Sequence, residues 1–159
     1  VISDTAYAYY NPDPNRVRFI GAANLSVPAD HFHDISGFDM DFSTAEDREF
    51  CDRWLNSGHR IVYAPEVIVY HSHWLTFRSF CKQHFNYGRG AFKYQQIRAM
   101  RKTGKMRSDI KFHFHFPILL CKTLSEISPK QPITIIMLLI LWECVNAIGC
   151  FFEKMRSGK

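Results

Sequence analysis

The chain has 159 residues, nearly half of them apolar, and its excess of Lys and Arg gives a formal charge of +5 and a pI near 9.0. That length allows one compact core, or half a domain with an anchor. The five cysteines are odd in number and contain no C-x-x-C, which indicates neither a disulfide framework nor a zinc knuckle and points to free thiols in a reducing compartment. Val1 is not an initiator Met, and no basic-then-apolar leader opens the chain, so no secretory signal is read and the sequence is expected to be cut from a longer one.

Val17-Arg18-Phe19-Ile20 alternates like a half-buried strand, and Asn24-Leu25-Ser26-Val27 alternates again after Gly21. Pro28 and Asp30 open a short helical stretch that ends near Gly37. Ser43-Thr44-Ala45-Glu46 has the form of a capping box, with the hydroxyl at the N-cap and Glu three residues on. The helix it predicts carries Phe50, Trp54 and Leu55 at helical spacing and stops at Gly58. Arg60-Ile61-Val62-Tyr63 and Val67-Ile68-Val69-Tyr70 are β-rich runs separated by Pro65, read as two strands with a bend.

Beyond His73 the chain is aromatic-rich, then basic, then apolar. Arg98, Arg101, Lys102, Lys105, Arg107 and Lys111 lie just ahead of the apolar region, where they would face anionic head groups or form a solvated helix face and basic loop. Nucleic-acid binding is disfavoured, because Phe77, Phe80, Phe85 and Tyr87 have core-like helical spacing rather than that of a stacking platform. Pro132–Phe152 is long enough to span a bilayer, about 20 residues being sufficient. Glu143 and Asn146 oppose a span, and an in-plane helix or buried hairpin is the alternative. The run Phe114–Cys121 is too short to cross alone.

Four features could carry chemistry. Glu46 and Asp47 at a helix start would stay ionised and could take a proton from a hydroxyl, but acidic residues are common in first turns as caps alone. His31 with His33, His71 with His73, and His113 with His115 form H-x-H pairs; the middle pair follows a strand and is the best placed for a metal, and the other four are read as surface or packing residues. Asp39-Met40-Asp41 has the D-x-D form of a metal–diphosphate site, but it follows a loop instead of an apolar strand and is rejected. Tyr87-Gly88-Arg89-Gly90 is read as a kink or turn in a helix, with ligand approach to the Arg as the alternative.

Read in order, Gly21-Ala22-Ala23-Asn24-Leu25-Ser26, Ile35-Ser36-Gly37-Phe38-Asp39, Ala45-Glu46-Asp47, Arg53-Trp54-Leu55 with Gly58, Ile61-Val62-Tyr63-Ala64-Pro65, Val69-Tyr70-His71 and Tyr87-Gly88-Arg89-Gly90 resemble the second, acceptor-side half of family-two glycosyltransferases. The resemblance implies an α/β chain: the C-terminal half of a GT-A fold over residues 1–75, a basic amphipathic helical region over 76–111 and an apolar membrane-associated region over 112–159. It implies inverting transfer of a sugar from a nucleotide-sugar donor to a hydroxyl of a glycan or lipid-linked acceptor, in cell-surface or lipid-linked saccharide synthesis. Asp47 would be the base, with Glu46, Asn24 and Asp39 on the acceptor. His71 would complete the site of a divalent cation, Mn2+ or Mg2+, holding the donor diphosphate. The catalytic part would be cytoplasmic and attached to the membrane.

The family's N-terminal half, with the nucleotide-binding strands and the true D-x-D, is not in this sequence, so the chain alone is expected to be inactive. Ser36 stands where the family usually has a second Gly. The missing Q-x-x-R-W argues against a processive synthase. The competing expectation is a membrane-bound metal protein that uses its H-x-H pairs and is no glycosyltransferase.

Overall fold

The computed structural model describes residues 7, 9–11, 13, 15–70, 74–104, 115, 118 and 132–158. They fall into two compact units, one spanning Tyr10–Trp74 and the other made by the chain on either side of it.

The first unit is built on two helices, α1 (Ala29–Asp34) and α2 (Glu46–Asn56), with a 3-10 turn at Ala22–Asn24. Helix α2 presents Phe50, Cys51 and Trp54 to the interior, where Phe19, Leu25, Val27, Phe32, Ile35, Phe38 and Ile61 close over them. Apolar residues one turn apart on α2 thus collect side chains from segments on both sides of it in sequence. Its end is set as the sequence predicts. Gly58 takes φ +88°, and the amides of Gly58 and His59 reach back to the carbonyls of Leu55 and Trp54, the paired bonds of a Schellman cap.

The start of α2 differs from the expected capping box. The helix begins at Glu46 rather than after Ser43, and its N-cap is Ala45, at φ +65° and without a side-chain cap. Nor is any strand formed among the described residues: 17–20, 60–63 and 67–70 run as irregular chain, and of 24–27 the first residue closes the 3-10 turn and the rest is irregular. Alternation dictates which side chains share a face, but a strand also needs a neighbour to complete its hydrogen-bond ladder. In its place, the buried Asn11 side chain accepts from the amides of Arg18 and Phe19 and donates to the Phe19 carbonyl.

The second unit pairs α3 (Phe77–Met100) with α4 (Pro132–Ser157). Thr76 caps α3 reciprocally with Ser79. Helix α3 runs through Tyr87-Gly88-Arg89-Gly90, so no turn interrupts it there. Its glycines serve close approach: a Cβ on Gly88 would lie 2.0 Å from the carbonyl oxygen of Asn146, and one on Gly149 equally close to that of Phe85. Backbones this near each other are possible only where both side chains are absent. Arg89 is also accounted for without a ligand, its Nε donating to Glu153 at 2.7 Å. Of the four aromatics expected in a core, Phe80 and Phe85 pack on His84 and Phe152, but Phe77 in the first turn is 70% exposed and Tyr87 also faces outward.

Among the described residues, one helix, Ile133–Ser157, is long and apolar enough to cross a membrane. Its outward residues include Ile133, Met137, Ile140, Ile148, Phe151 and Met155, while Leu139, Trp142 and Glu153 are buried. Asn146, one of the two residues that oppose a span, returns its side-chain amide to the Trp142 carbonyl within the helix. Of the run Phe114–Cys121, only His115 and Ile118 are described.

His84 is buried among Phe80, Tyr87 and Trp142, and its Nδ1 has no hydrogen-bond partner among the described residues. Burial disfavours the charged imidazolium and lowers its pKa from 6.5 to about 4. The unfolded chain therefore binds this proton first as the pH falls. The stability that neutral His84 protects is full above pH 6.5 and declines down to about pH 4, by at most about 3 kcal/mol. Unfolding midpoints at pH 7 and pH 4.5 should differ less in His84→Phe than in the unsubstituted protein; an equal difference would show that His84 contributes nothing to the acid response.

Candidate active site

Asp47 is the second residue of α2 and is half-buried. Its Oδ2 accepts from the Ala22 amide at 3.3 Å, and its Oδ1 lies 2.7 Å from the amide of Arg48. The helix start, with amides not yet used by the helix, favours a negative charge here. The contact with Ala22 joins the Ala22–Asn24 turn to α2. The other end of that turn is tied by Asn24, whose side-chain amide donates to the Val67 carbonyl at 2.9 Å. The structure thus brings the Asn24 turn to Asp47. Glu46, beside Asp47, is also half-buried.

Asp39 is placed differently. Its carboxylate accepts from the Asp41 amide at 2.9 Å and its carbonyl from the Phe42 amide, so it folds its own turn. The D-x-D form here is therefore a loop turn, in line with the sequence-based rejection. Ser36 and Gly37, just before it, both take positive φ, at +63° and +59°. That geometry explains why a glycine suits the position of Ser36: a left-handed conformation costs an L-residue about 1–2 kcal/mol. Part of that gain is offset by the greater freedom of glycine when unfolded. Ser36→Gly is expected to raise stability by roughly 0.5 kcal/mol, read as a higher unfolding midpoint; a lower midpoint would show that the Ser36 side chain contributes more than its backbone strain costs.

Arg53 ties α2 to the loop ahead of Asp39. Its Nε lies 2.8 Å from Oε1 of Glu49 and its Nη2 2.8 Å from Oε2, a two-pronged ion pair with a carboxylate that is 0% exposed. The same guanidinium donates to the carbonyls of Ile35 and Gly37. The i,i+4 spacing of Glu49 and Arg53 was visible in the sequence, but the loop carbonyls were not. Cys51, on the inner face of α2, donates its thiol to the Ile20 carbonyl, and burial pushes its pKa up to about 11, so it stays protonated.

His31 stacks on His59 at 4.8 Å and His59 on Trp54 at 4.3 Å, consistent with the packing reading of His31. His71, the expected metal ligand, lies outside the described residues, as do His73 and His113. Among the described residues, no group of three or more His, Cys, Asp or Glu could hold a metal ion.

The sequence profile of glycosyl transferase family group 2 matches residues 12–151, a stretch that takes in nearly all of the first unit, the whole of α3 and α4 as far as Phe151. No curated protein and no solved structure matches the chain.

Proposed function

The chain belongs to glycosyl transferase family group 2, and we propose that Asp47 is the base of an inverting sugar transfer from a nucleotide-sugar donor to a hydroxyl of a glycan or lipid-linked acceptor. The observation that carries this reading is the seating of Asp47: an ionisable carboxylate at a helix start, held by the amide of a neighbouring turn and still half-exposed. In the transfer, Asp47 takes the acceptor proton while the freed oxygen attacks the anomeric carbon. The carbon–oxygen bond to the diphosphate breaks on the opposite face, its electron pair leaves with the nucleotide, and the anomeric configuration inverts.

Glu46, the Asn24 turn and the Asp39 loop would shape the acceptor pocket. The segments 17–20, 24–27, 60–63 and 67–70 would be strands of a GT-A fold once laddered by neighbours. Donor binding is assigned to polypeptide beyond the described residues, and so is the divalent cation, with His71 among its ligands; no step here passes through it. Helix α4 would anchor the protein in the membrane with the catalytic unit on the cytoplasmic side.

The test is an assay of the full native polypeptide with UDP-, GDP- and dTDP-sugars, Mn2+ or Mg2+, and n-octyl glucoside as surrogate acceptor. The anomer of the product is read by NMR. An inverted glycoside supports the reading. A retained configuration, or release of sugar with no acceptor product, would refute it.

A further inference from the structure

The connections of Arg53 bear on how the proposed acceptor site is assembled. Helix α2 carries Asp47 at its start and Arg53 six residues later, so the two are fixed to one rigid element. Across from α2 lies the loop with two successive left-handed residues, Ser36 and Gly37, which leads directly into Asp39. Such a loop needs an outside restraint to keep its shape. Arg53 supplies one, since its guanidinium donates to the carbonyl on each side of Ser36 while its Nε and Nη2 hold Glu49.

Glu49 fixes the guanidinium in turn. Its carboxylate is fully buried one turn back along the helix. A planar group that meets a carboxylate along one edge has its remaining donors aimed in a single direction. Lysine, a point charge on a flexible stem, could pair with Glu49 but could not span both loop carbonyls.

We propose that Arg53 is a positioning residue for transfer: it sets the Asp39 loop at a fixed distance from the helix that carries Asp47, and thereby determines how tightly the acceptor is held. This rests on the glycosyltransferase reading above. Arg53 touches neither substrate nor Asp47 and acts through the loop.

The test compares the unsubstituted full-length protein with Arg53→Lys, Asp39→Asn and the double variant, using the nucleotide sugar that turns over and n-octyl glucoside. Arg53→Lys is expected to raise the acceptor KM about tenfold, leaving kcat and the donor KM within about twofold. Asp39→Asn keeps the turn-forming side chain and should raise the acceptor KM by itself. In the double variant the effects should combine to much less than their product, because one acts through the other. Hydrogen exchange should quicken at residues 35–42 in Arg53→Lys and stay unchanged in α2.

An unmoved acceptor KM, or independent effects of the two substitutions, would overturn the role of Arg53. So would a fall in kcat with a rise in both KM values and a general rise in exchange, which would mark a purely structural residue. No turnover by the unsubstituted protein would instead sink the glycosyltransferase reading, and this proposal with it.

Discussion

Asp47→Asn is expected to lower the rate of sugar transfer by about 10²- to 10⁴-fold, the range attributed to a positioned general base. The substitution is nearly isosteric. An Asn carbonyl can still accept from the Ala22 amide, and Asn is tolerated in a first helical turn. It cannot take up the proton of an attacking hydroxyl at neutral pH. The loss should therefore fall on kcat, with unfolding temperature and nucleotide affinity nearly unchanged. Steady-state kinetics with paired thermal unfolding separate these outcomes. Turnover retained within about tenfold would remove Asp47 from the role of base, and a large fall in unfolding temperature would reassign it to holding the Ala22–Asn24 turn.

Gly88→Ala should be as damaging as Gly149→Ala, its counterpart on α4, and strongly destabilise the second unit. The added carbon would sit 2.0 Å from the Asn146 carbonyl oxygen and 2.8 Å from its carbonyl carbon, and both atoms belong to helix backbone. A rotamer change cannot relieve such a clash, so α3 and α4 must part along their contact. Overpacking of this kind costs about 1–3 kcal/mol and sometimes more. The gain of about 1 kcal/mol in helix propensity from Gly to Ala offsets part of it. A net loss of about 2 kcal/mol is expected, measured as a lower unfolding midpoint of the purified full-length protein in detergent. An unchanged or higher midpoint would show that the helices can shift apart without losing their packing.

The sequence exposed some of this structure and concealed the rest for identifiable reasons. Helix α4 was legible almost to its ends, since a run of apolar residues of that length has few other uses. The stop of α2 at Gly58 was legible because a left-handed cap selects glycine locally. Its start was not: Ser43 and Glu46 have the spacing of a cap, but Ala45 turns left-handed and the helix begins later, beside the turn that holds Asp47. Gly88 misled for a different reason. A glycine weakens a helix in isolation, and nothing within α3 indicates that a backbone from α4 requires its missing side chain. The four runs read as strands form none among the described residues, because alternation and β-branching carry no information about the neighbours that a ladder needs.

In the proposed site, the position of Asp47 at a helix start was foreseen. Its contact with Ala22, and the grip of Arg53 on the Asp39 loop, join residues 16 to 25 positions apart and have no local signature.

The segment Val67-Ile68-Val69-Tyr70 has a consequence for handling the protein. All four side chains are at least half-exposed, Tyr70 almost entirely, and the run contains no charge and no proline. Short, uncharged β-branched stretches with open sides are the ones that stack between copies into ordered aggregates. Pro65 and Glu66 stand immediately ahead of the run and interrupt such stacking on one side only. Concentrated preparations would therefore be expected to lose material through this stretch before α2 or its core unfolds.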